Sequence, residues 1–167
     1  MRISDRWIFC GETVVSLGLL AGALILGEIF RLHPCYWCNF QRLLYMVLAF
    51  LGCCGMLLPG WRKAWSLLSG LTALGGALAA GWQSWMQQAE DAVECGIGDP
   101  TLIERLVDWL GELWPSMFMV TGLCKNTDWV FLGLTLANWS AACFLGLFGV
   151  SVWMLFRRAP NAGSRRS

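Results

Sequence analysis

Four cysteines of this chain stand in polar stretches, where a thiol can react. Cys35 and Cys38 form a Cys-Tyr-Trp-Cys motif, and Cys95 and Cys124 lie farther along in a long polar segment. Such a set permits a tetrahedral zinc site, covalent haem attachment or two disulfides. The zinc site lacks its usual second Cys-x-x-Cys pair, and haem attachment requires histidine where Asn39 stands. The sequence therefore favours disulfides over a metal, without deciding whether they are structural or redox-active.

The position of the Cys-x-x-Cys motif favours the redox-active alternative. The motif closes a very small ring, of a kind that is often strained and easily reduced. It directly precedes an apolar run, and Arg42 follows Cys38 by one helical turn on the same face. A guanidinium there would favour the Cys38 thiolate, although it could instead reach towards the lipid head groups. A thiolate and a cation at the membrane would suit a lipid-soluble two-electron acceptor such as a quinone.

The elements that must position these thiols are membrane-spanning helices. Hydrophobic residues make up 57% of the 167 residues and charged residues only 14%, and the mean hydropathy is +0.56. This composition excludes a disordered chain and argues against an ordinary soluble domain. A net charge of +1 argues against a basic nucleic-acid binder. Four apolar runs reach the roughly 20 residues that cross a bilayer as a helix. They cover approximately residues 7–30, 40–58, 64–85 and 129–156.

The distribution of basic residues predicts the orientation of these spans. Eight Lys and Arg residues lie on the side that would hold both termini, against four in longer segments on the other side. We therefore expect one membrane domain, residues 1–167, with both termini and the tail 157–167 in the cytoplasm. Two loops, at about residues 31–39 and 86–128, then face outward. They hold all four reactive cysteines, on the side where disulfides persist.

The long outward loop contains a stretch with a helical period of its own, residues 101–114. Apolar residues recur on one face, and Thr101 with Glu104 forms a capping box. The stretch is too short to span a bilayer, so we predict a helix lying in the membrane interface. A helix packed against protein would give the same pattern. The predicted helix separates Cys95, which stands in an accessible glycine-rich segment, from Cys124. This arrangement would allow a two-stage relay of electrons from a soluble partner to the membrane-level pair of cysteines.

Three short motifs carry a family resemblance. Residues 34–42 read Pro-Cys-Tyr-Trp-Cys-Asn-Phe-Gln-Arg, similar to a family pattern Pro-Cys-x-x-Cys-x-x-x-Arg. Residues 95–98 read Cys-Gly-Ile-Gly, and residues 124–134, followed by Trp139, are similar to a second-loop motif that runs into a fourth helix. Together with four spans and two loops, these motifs resemble the bacterial disulfide bond formation protein B family, DsbB, over nearly the whole chain.

The resemblance implies both a fold and an activity. The fold is all-α: a four-helix transmembrane bundle with a short interfacial helix in the second periplasmic loop, in the bacterial inner membrane. The activity is that of a membrane thiol:quinone oxidoreductase. Such an enzyme reoxidises a DsbA-like periplasmic thiol oxidase and passes the electrons to ubiquinone or menaquinone. The system of DsbA, DsbB and quinone keeps the bacterial periplasm oxidising.

The resemblance also implies a role for each candidate site residue. It pairs Cys35 with Cys38 and Cys95 with Cys124 as two disulfides. Cys95 would form the mixed disulfide with the DsbA-like partner, and its electrons would pass from Cys124 to the Cys35–Cys38 pair. Cys38 would then contact the quinone, with Arg42 beside the ring.

The chain departs from the family pattern at two positions. Gln41 replaces an acidic residue often found just before the arginine, and Gln88 stands where some members carry a histidine. We therefore expect no proton-handling role for a histidine at that position, and we interpret His33 as a loop residue. Two alternatives stay open from the sequence. One is a paralogue that serves a dedicated partner, and the other is a non-enzymatic membrane protein with two structural disulfides.

Overall fold

The computed structural model describes residues 5–88, 99–124 and 130–157. Over these ranges the chain is all-α apart from one short hairpin, and Cys95 lies outside them. Four of the helices are long and apolar enough to cross a membrane, namely Asp5–Phe30, Tyr36–Leu57, Arg62–Gln88 and Leu136–Phe156. This confirms the four-helix transmembrane bundle. In chain order the elements are α1 (Asp5–Phe30), α2 (Tyr36–Leu57), a 3₁₀ turn (Pro59–Trp61), α3 (Arg62–Gln88), α4 (Leu102–Leu113), α5 (Pro115–Phe118), β1 (Val130–Phe131), β2 (Leu134–Thr135) and α6 (Leu136–Phe156).

Two helix starts differ from the sequence expectation. Helix α2 begins at Tyr36, with Cys35 as its N-cap, so the Cys-x-x-Cys motif lies in the first turn instead of before the helix. The fourth span becomes helical only at Leu136, later than the expected start near residue 129. The preceding strands β1 and β2 pair in antiparallel fashion around Leu132 and Gly133. Both turn residues have positive φ, 53° and 78°, as a two-residue hairpin turn requires.

The bundle packs in the order α1 on α2, α2 on α3, and α3 on α6. Its interior is built from apolar side chains, and the ring of Tyr45 stacks on that of Phe144 with 4.2 Å between centroids. Large apolar side chains also cover the outer surface of the spans, as expected when lipid is the solvent. The buried cluster consists of Leu20, Tyr45, Leu48, Ala73, Ala80, Phe144 and Leu147.

Charged residues join three helices at one end of the bundle. Arg62 lies 3.5 Å from the Asp5 carboxylate, and Arg157 lies 3.7 Å from the same carboxylate. Arg62 Nη2 also donates to the Arg157 carbonyl oxygen at 3.0 Å. The start of α1, the start of α3 and the end of α6 are therefore tied together, and the cysteine motif lies at the opposite end.

Helix α4 begins at the predicted capping box. Thr101 Oγ1 accepts from the Glu104 amide at 3.3 Å, and Glu104 Oε2 accepts from the Thr101 amide at 2.7 Å. Protein covers only part of the apolar face of this helix. Val107 is fully buried against protein. The exposed apolar stripe of the same face consists of Leu102, Leu106, Trp109 and Leu113.

Candidate active site

Three of the four candidate cysteines meet at the end of the bundle opposite the charged cluster. Cys35 Sγ lies 3.2 Å from Cys38 Sγ, and Cys35 also contacts Cys124 from the second loop. Cys35 and Cys124 are almost fully buried, with 2% and 1% of their surfaces exposed. All three are free thiols in this structure. The fourth candidate, Cys95, lies outside the described residues, so the predicted Cys95–Cys124 pair does too.

Backbone contacts between the two loops hold Cys124 beside Cys35. The amides of Thr121 and Gly122 both donate to the Pro34 carbonyl oxygen, at 3.0 and 3.2 Å. Gly122 lies so close to the His33 backbone that a Cβ at this position would collide with the His33 carbonyl oxygen. Only glycine allows this approach, and Cys124 follows two residues later.

The thiol of Cys35 is held in its protonated form. Its hydrogen bond with Cys124 and its burial raise the pKa of Cys35 from the ordinary 9.0 to about 12, although the hydrogen bond with Cys38 acts in the opposite direction. Because the thiolate is the nucleophile in thiol chemistry, the reduced Cys35 is a poor nucleophile at neutral pH. Cys35 is thus better suited to being attacked, as part of a disulfide, than to attacking.

Arg42 bonds to the protein instead of extending to the lipid head groups. Its Nη1 donates to Asn39 Oδ1 at 3.1 Å and to the Met117 carbonyl oxygen at 3.0 Å. Asn39 Nδ2 in turn donates to the Phe118 carbonyl oxygen at 2.7 Å. Helix α5 is therefore fixed to the first turns of α2, and the guanidinium is held one turn beyond Cys38.

A cavity of about 380 Å³ opens beside the thiols. Cys35, Cys38 and Arg42 all line it, among mostly apolar side chains from α1, α2, α3 and α6. The volume falls within the roughly 300–1,000 Å³ that small-molecule sites occupy, and an apolar wall with few polar groups is typical of them. The arrangement can hold a flat apolar molecule against a reactive sulfur and a cation.

One side chain of this site, Gln83, was not predicted from the sequence. Gln83 Nε2 on α3 donates to Cys38 Sγ at 3.1 Å and lies 3.6 Å from Cys35 Sγ. Gln41 Nε2 donates to Gln83 Oε1 at 2.7 Å. The sequence did contain a signal for Gln83, namely an amide side chain inside an otherwise apolar span. Polar side chains in a span are costly in lipid and often functional.

These observations define a multi-pass membrane protein with clustered redox-capable thiols at one end of a helical bundle. Residues 5–154 match the family model described as Disulfide bond formation protein DsbB. The chain therefore belongs to the DsbB family, as the sequence motifs indicated. Members of this family form disulfide bonds, which makes the chain a disulfide-generating membrane oxidoreductase.

Similarity to individual relatives extends over almost the whole chain. The chain is 49% identical to the Disulfide bond formation protein B of Dechloromonas aromatica, over 94% of this chain and 96% of that protein. It is 34% identical to the protein of that name from Aromatoleum aromaticum, over 93% and 95% of the two chains. It is 33% identical to the Disulfide bond formation protein B of Nitrosomonas europaea, over 95% of this chain and 98% of that protein.

Proposed function

We propose that this protein is a thiol:quinone oxidoreductase of the bacterial inner membrane. It oxidises a DsbA-like thiol oxidase in the periplasm and passes the electrons to ubiquinone or menaquinone. One observation carries the proposal: Cys35 and Cys38 line an apolar cavity together with Arg42, while Cys124 from the other loop contacts Cys35. A static structural disulfide would need neither the cavity nor the third thiol.

The electron route begins at the second loop. The reduced partner forms a mixed disulfide with Cys95 of the oxidised Cys95–Cys124 pair, and Cys124 leaves as a thiolate. The second thiol of the partner then releases Cys95, so the partner leaves oxidised and the loop pair is reduced. Each step forms one S–S bond and breaks another, and the electron pair moves to the sulfur that leaves.

The next exchange joins the two loops. The Cys124 thiolate attacks Cys35 Sγ of the Cys35–Cys38 disulfide, a bond forms between Cys124 and Cys35, and Cys38 leaves with the electron pair. Cys95 then attacks Cys124, which restores the loop disulfide and frees Cys35. The contact of Cys124 with Cys35 supports this order.

The cavity supports a quinone as the final electron acceptor. A bound quinone accepts two electrons and two protons to become a quinol, so the motif disulfide re-forms as the pair of thiols is consumed. Arg42 holds a positive charge at the cavity wall, where it stabilises negative charge that develops on a carbonyl oxygen. Apolar side chains of the surrounding helices exclude water from the reacting sulfur.

We also propose that both termini are cytoplasmic and that α4 lies in the periplasmic membrane interface. The exposed apolar stripe of α4, which includes Leu102 at 84% exposure and Trp109 at 57%, supports this location. A helix with part of its apolar face on protein and the rest on the acyl chains would keep the second loop close to the membrane.

Purified full-length protein tests the activity directly. Protein reduced with dithiothreitol and freed of the reductant should reduce an added short-tailed ubiquinone, with the loss of quinone absorbance matching the loss of free thiols. Cys38→Ser should abolish this reaction, whereas Cys53→Ser, on the same helix but outside the cavity, should react normally. Reduced wild-type protein that leaves quinone untouched would instead favour a protein with two static disulfides.

A trapped complex tests the partner. A Cys124→Ser variant should accumulate a mixed disulfide between Cys95 and the periplasmic partner, identified by mass spectrometry. Recovery of a thiol oxidase other than a general DsbA-like protein would support a paralogue with a dedicated partner.

A further inference from the structure

Two buried glutamines connect α2 and α3 directly at the reactive sulfurs. Gln83 is 4% exposed and Gln41 is 6% exposed, and both line the cavity. Gln83 Nε2 donates to Cys38 Sγ at 3.1 Å, while its Oε1 accepts from Gln41 Nε2 at 2.7 Å. The two amides form a chain that ends on the sulfur of Cys38.

The chain of amides determines which end of Gln83 faces the sulfur. An amide has one acceptor oxygen and one donor nitrogen. Because Gln41 donates to the Gln83 oxygen, the Gln83 nitrogen is left facing Cys38 and Cys35. Without Gln41, the Gln83 amide could turn over and present its oxygen to the sulfur, which would repel a thiolate.

A donor at this position matters because Cys38 lines a mostly apolar cavity. A hydrogen bond is stronger in a low-dielectric interior, and a donor aimed at a developing negative charge stabilises it without reorganisation. Arg42 is the cation of the site, but its Nη1 is engaged by Asn39 and the Met117 carbonyl. Gln83 Nε2 donates directly to Cys38 Sγ, and a neutral amide can be buried in a span at lower cost than a second cation.

We propose that Gln83 is a catalytic residue of the exchange and that Gln41 is its positioning residue. This inference rests on the proposed function. When Cys124 attacks Cys35, the electron pair of the Cys35–Cys38 bond moves to Cys38, and the Gln83 N–H group stabilises that thiolate by hydrogen bonding. No proton is transferred from the amide. The same bond favours the thiolate over the thiol of Cys38 until the sulfur passes its electrons to the acceptor.

The test measures the thiolate of Cys38 without quinone or partner. In reduced full-length protein carrying Cys35→Ala, the alkylation rate of Cys38 by iodoacetamide is followed by mass spectrometry as a function of pH, from neutral pH to the alkaline plateau of the rate. Gln83→Met, which keeps the length of the side chain but has no donor, should slow alkylation at pH 7 by about tenfold, the size expected for a lost hydrogen bond to a charged group. Gln88→Met, an exposed glutamine of the same helix, serves as the control and should alkylate like the parent.

The pH dependence separates charge stabilisation from packing. If Gln83 stabilises the thiolate, Gln83→Met should shift the profile of rate against pH by about one unit to higher pH, so that the two rates converge once the pH exceeds the pKa of Cys38 in both proteins. A variant that is slower by the same factor over the whole profile, including its alkaline plateau, would show a packing role, and a variant that reacts at the parental rate would show no role. Either result overturns the proposal, while quinone reduction by the wild-type protein tests the proposed function separately.

A second variant tests the orienting role of Gln41. It also keeps the proposal testable if Gln83→Met does not fold. Gln41→Met should slow alkylation at pH 7 by a smaller factor than Gln83→Met, because the donor remains but can turn away. In the double variant, loss of Gln41 should add nothing to the loss of Gln83. Additive effects would overturn the proposed link between the two glutamines.

Discussion

Replacing Gly122 with alanine tests whether the contact between the two loops carries electrons from Cys124 to Cys35. A Cβ at residue 122 would collide with the His33 carbonyl oxygen. That atom belongs to the backbone and cannot rotate away as the end of a side chain can. The segment that carries Cys124 must therefore lift, and the amides of residues 121 and 122 lose their bonds to the Pro34 carbonyl oxygen at 3.0 and 3.2 Å.

The size of the effect follows from these two hydrogen bonds. Each contributes about 0.5–1.5 kcal/mol, so their loss disfavours the closed arrangement by about 1–3 kcal/mol. Because about 1.4 kcal/mol corresponds to a factor of ten in an equilibrium constant, the ratio of closed to open loop arrangements should fall by about 5- to 150-fold. The helices, which form most of the cavity wall, should be unaffected, since the change lies in the loop.

Disulfide trapping measures this contact without any partner protein. In a Cys38→Ala, Cys95→Ala background, mild oxidation leaves Cys35 and Cys124 to form a disulfide with each other. Gly122→Ala should slow that reaction by up to about 150-fold, the upper limit set by the lost hydrogen bonds. Gly146→Ala is the matched control, because a Cβ at Gly146 meets nothing within 4 Å.

A second measurement shows that the damage is specific to the loop contact. Protein with all its native cysteines, reduced beforehand, should pass one electron pair to quinone at the wild-type rate even with Gly122→Ala. The reasoning is refuted if Gly122→Ala forms the Cys35–Cys124 disulfide as fast as Gly146→Ala. It is also refuted if the quinone step slows by the same factor as the trapping reaction.

Three further perturbations have defined outcomes. Arg42→Ala should raise the KM for quinone several-fold in steady-state turnover of the folded protein, and an unchanged KM would mean that the guanidinium only holds α5. The pKa of Cys35, raised from 9.0 to about 12, stabilises the reduced protein below pH 9, and this stability is lost as the pH rises towards 12. The free energy of unfolding, measured with denaturant, should fall over this pH range. Cys124→Ala should make its pH dependence shallower, because the hydrogen bond with Cys124 is the largest cause of the pKa shift. Asn39→Ala leaves the buried Phe118 carbonyl unpaired and should lower the free energy of unfolding in detergent by about 1–3 kcal/mol, whereas no measurable loss would show that α5 is held by other contacts.

The sequence by itself determined the membrane bundle and the reactive residue types. Spans are readable from composition because lipid requires each one to be a helix of about 20 apolar residues. The capping box at Thr101 and Glu104 was readable because its two partners lie within one turn. The start of α6 was not, since the hairpin before it depends on backbone conformations at Leu132 and Gly133.

Only the tertiary structure decided which thiols meet and what surrounds them. The contact of Cys124 with Cys35 depends on the close approach of Gly122 to the first loop, and the donor from Gln83 to Cys38 depends on how α3 packs against α2. Residues so far apart in sequence share no periodic pattern, and apolar runs that are hydrophobic all round do not reveal which face is turned inward. Hydropathy is a local property, whereas the environment of a sulfur is set by the packing of several helices against one another.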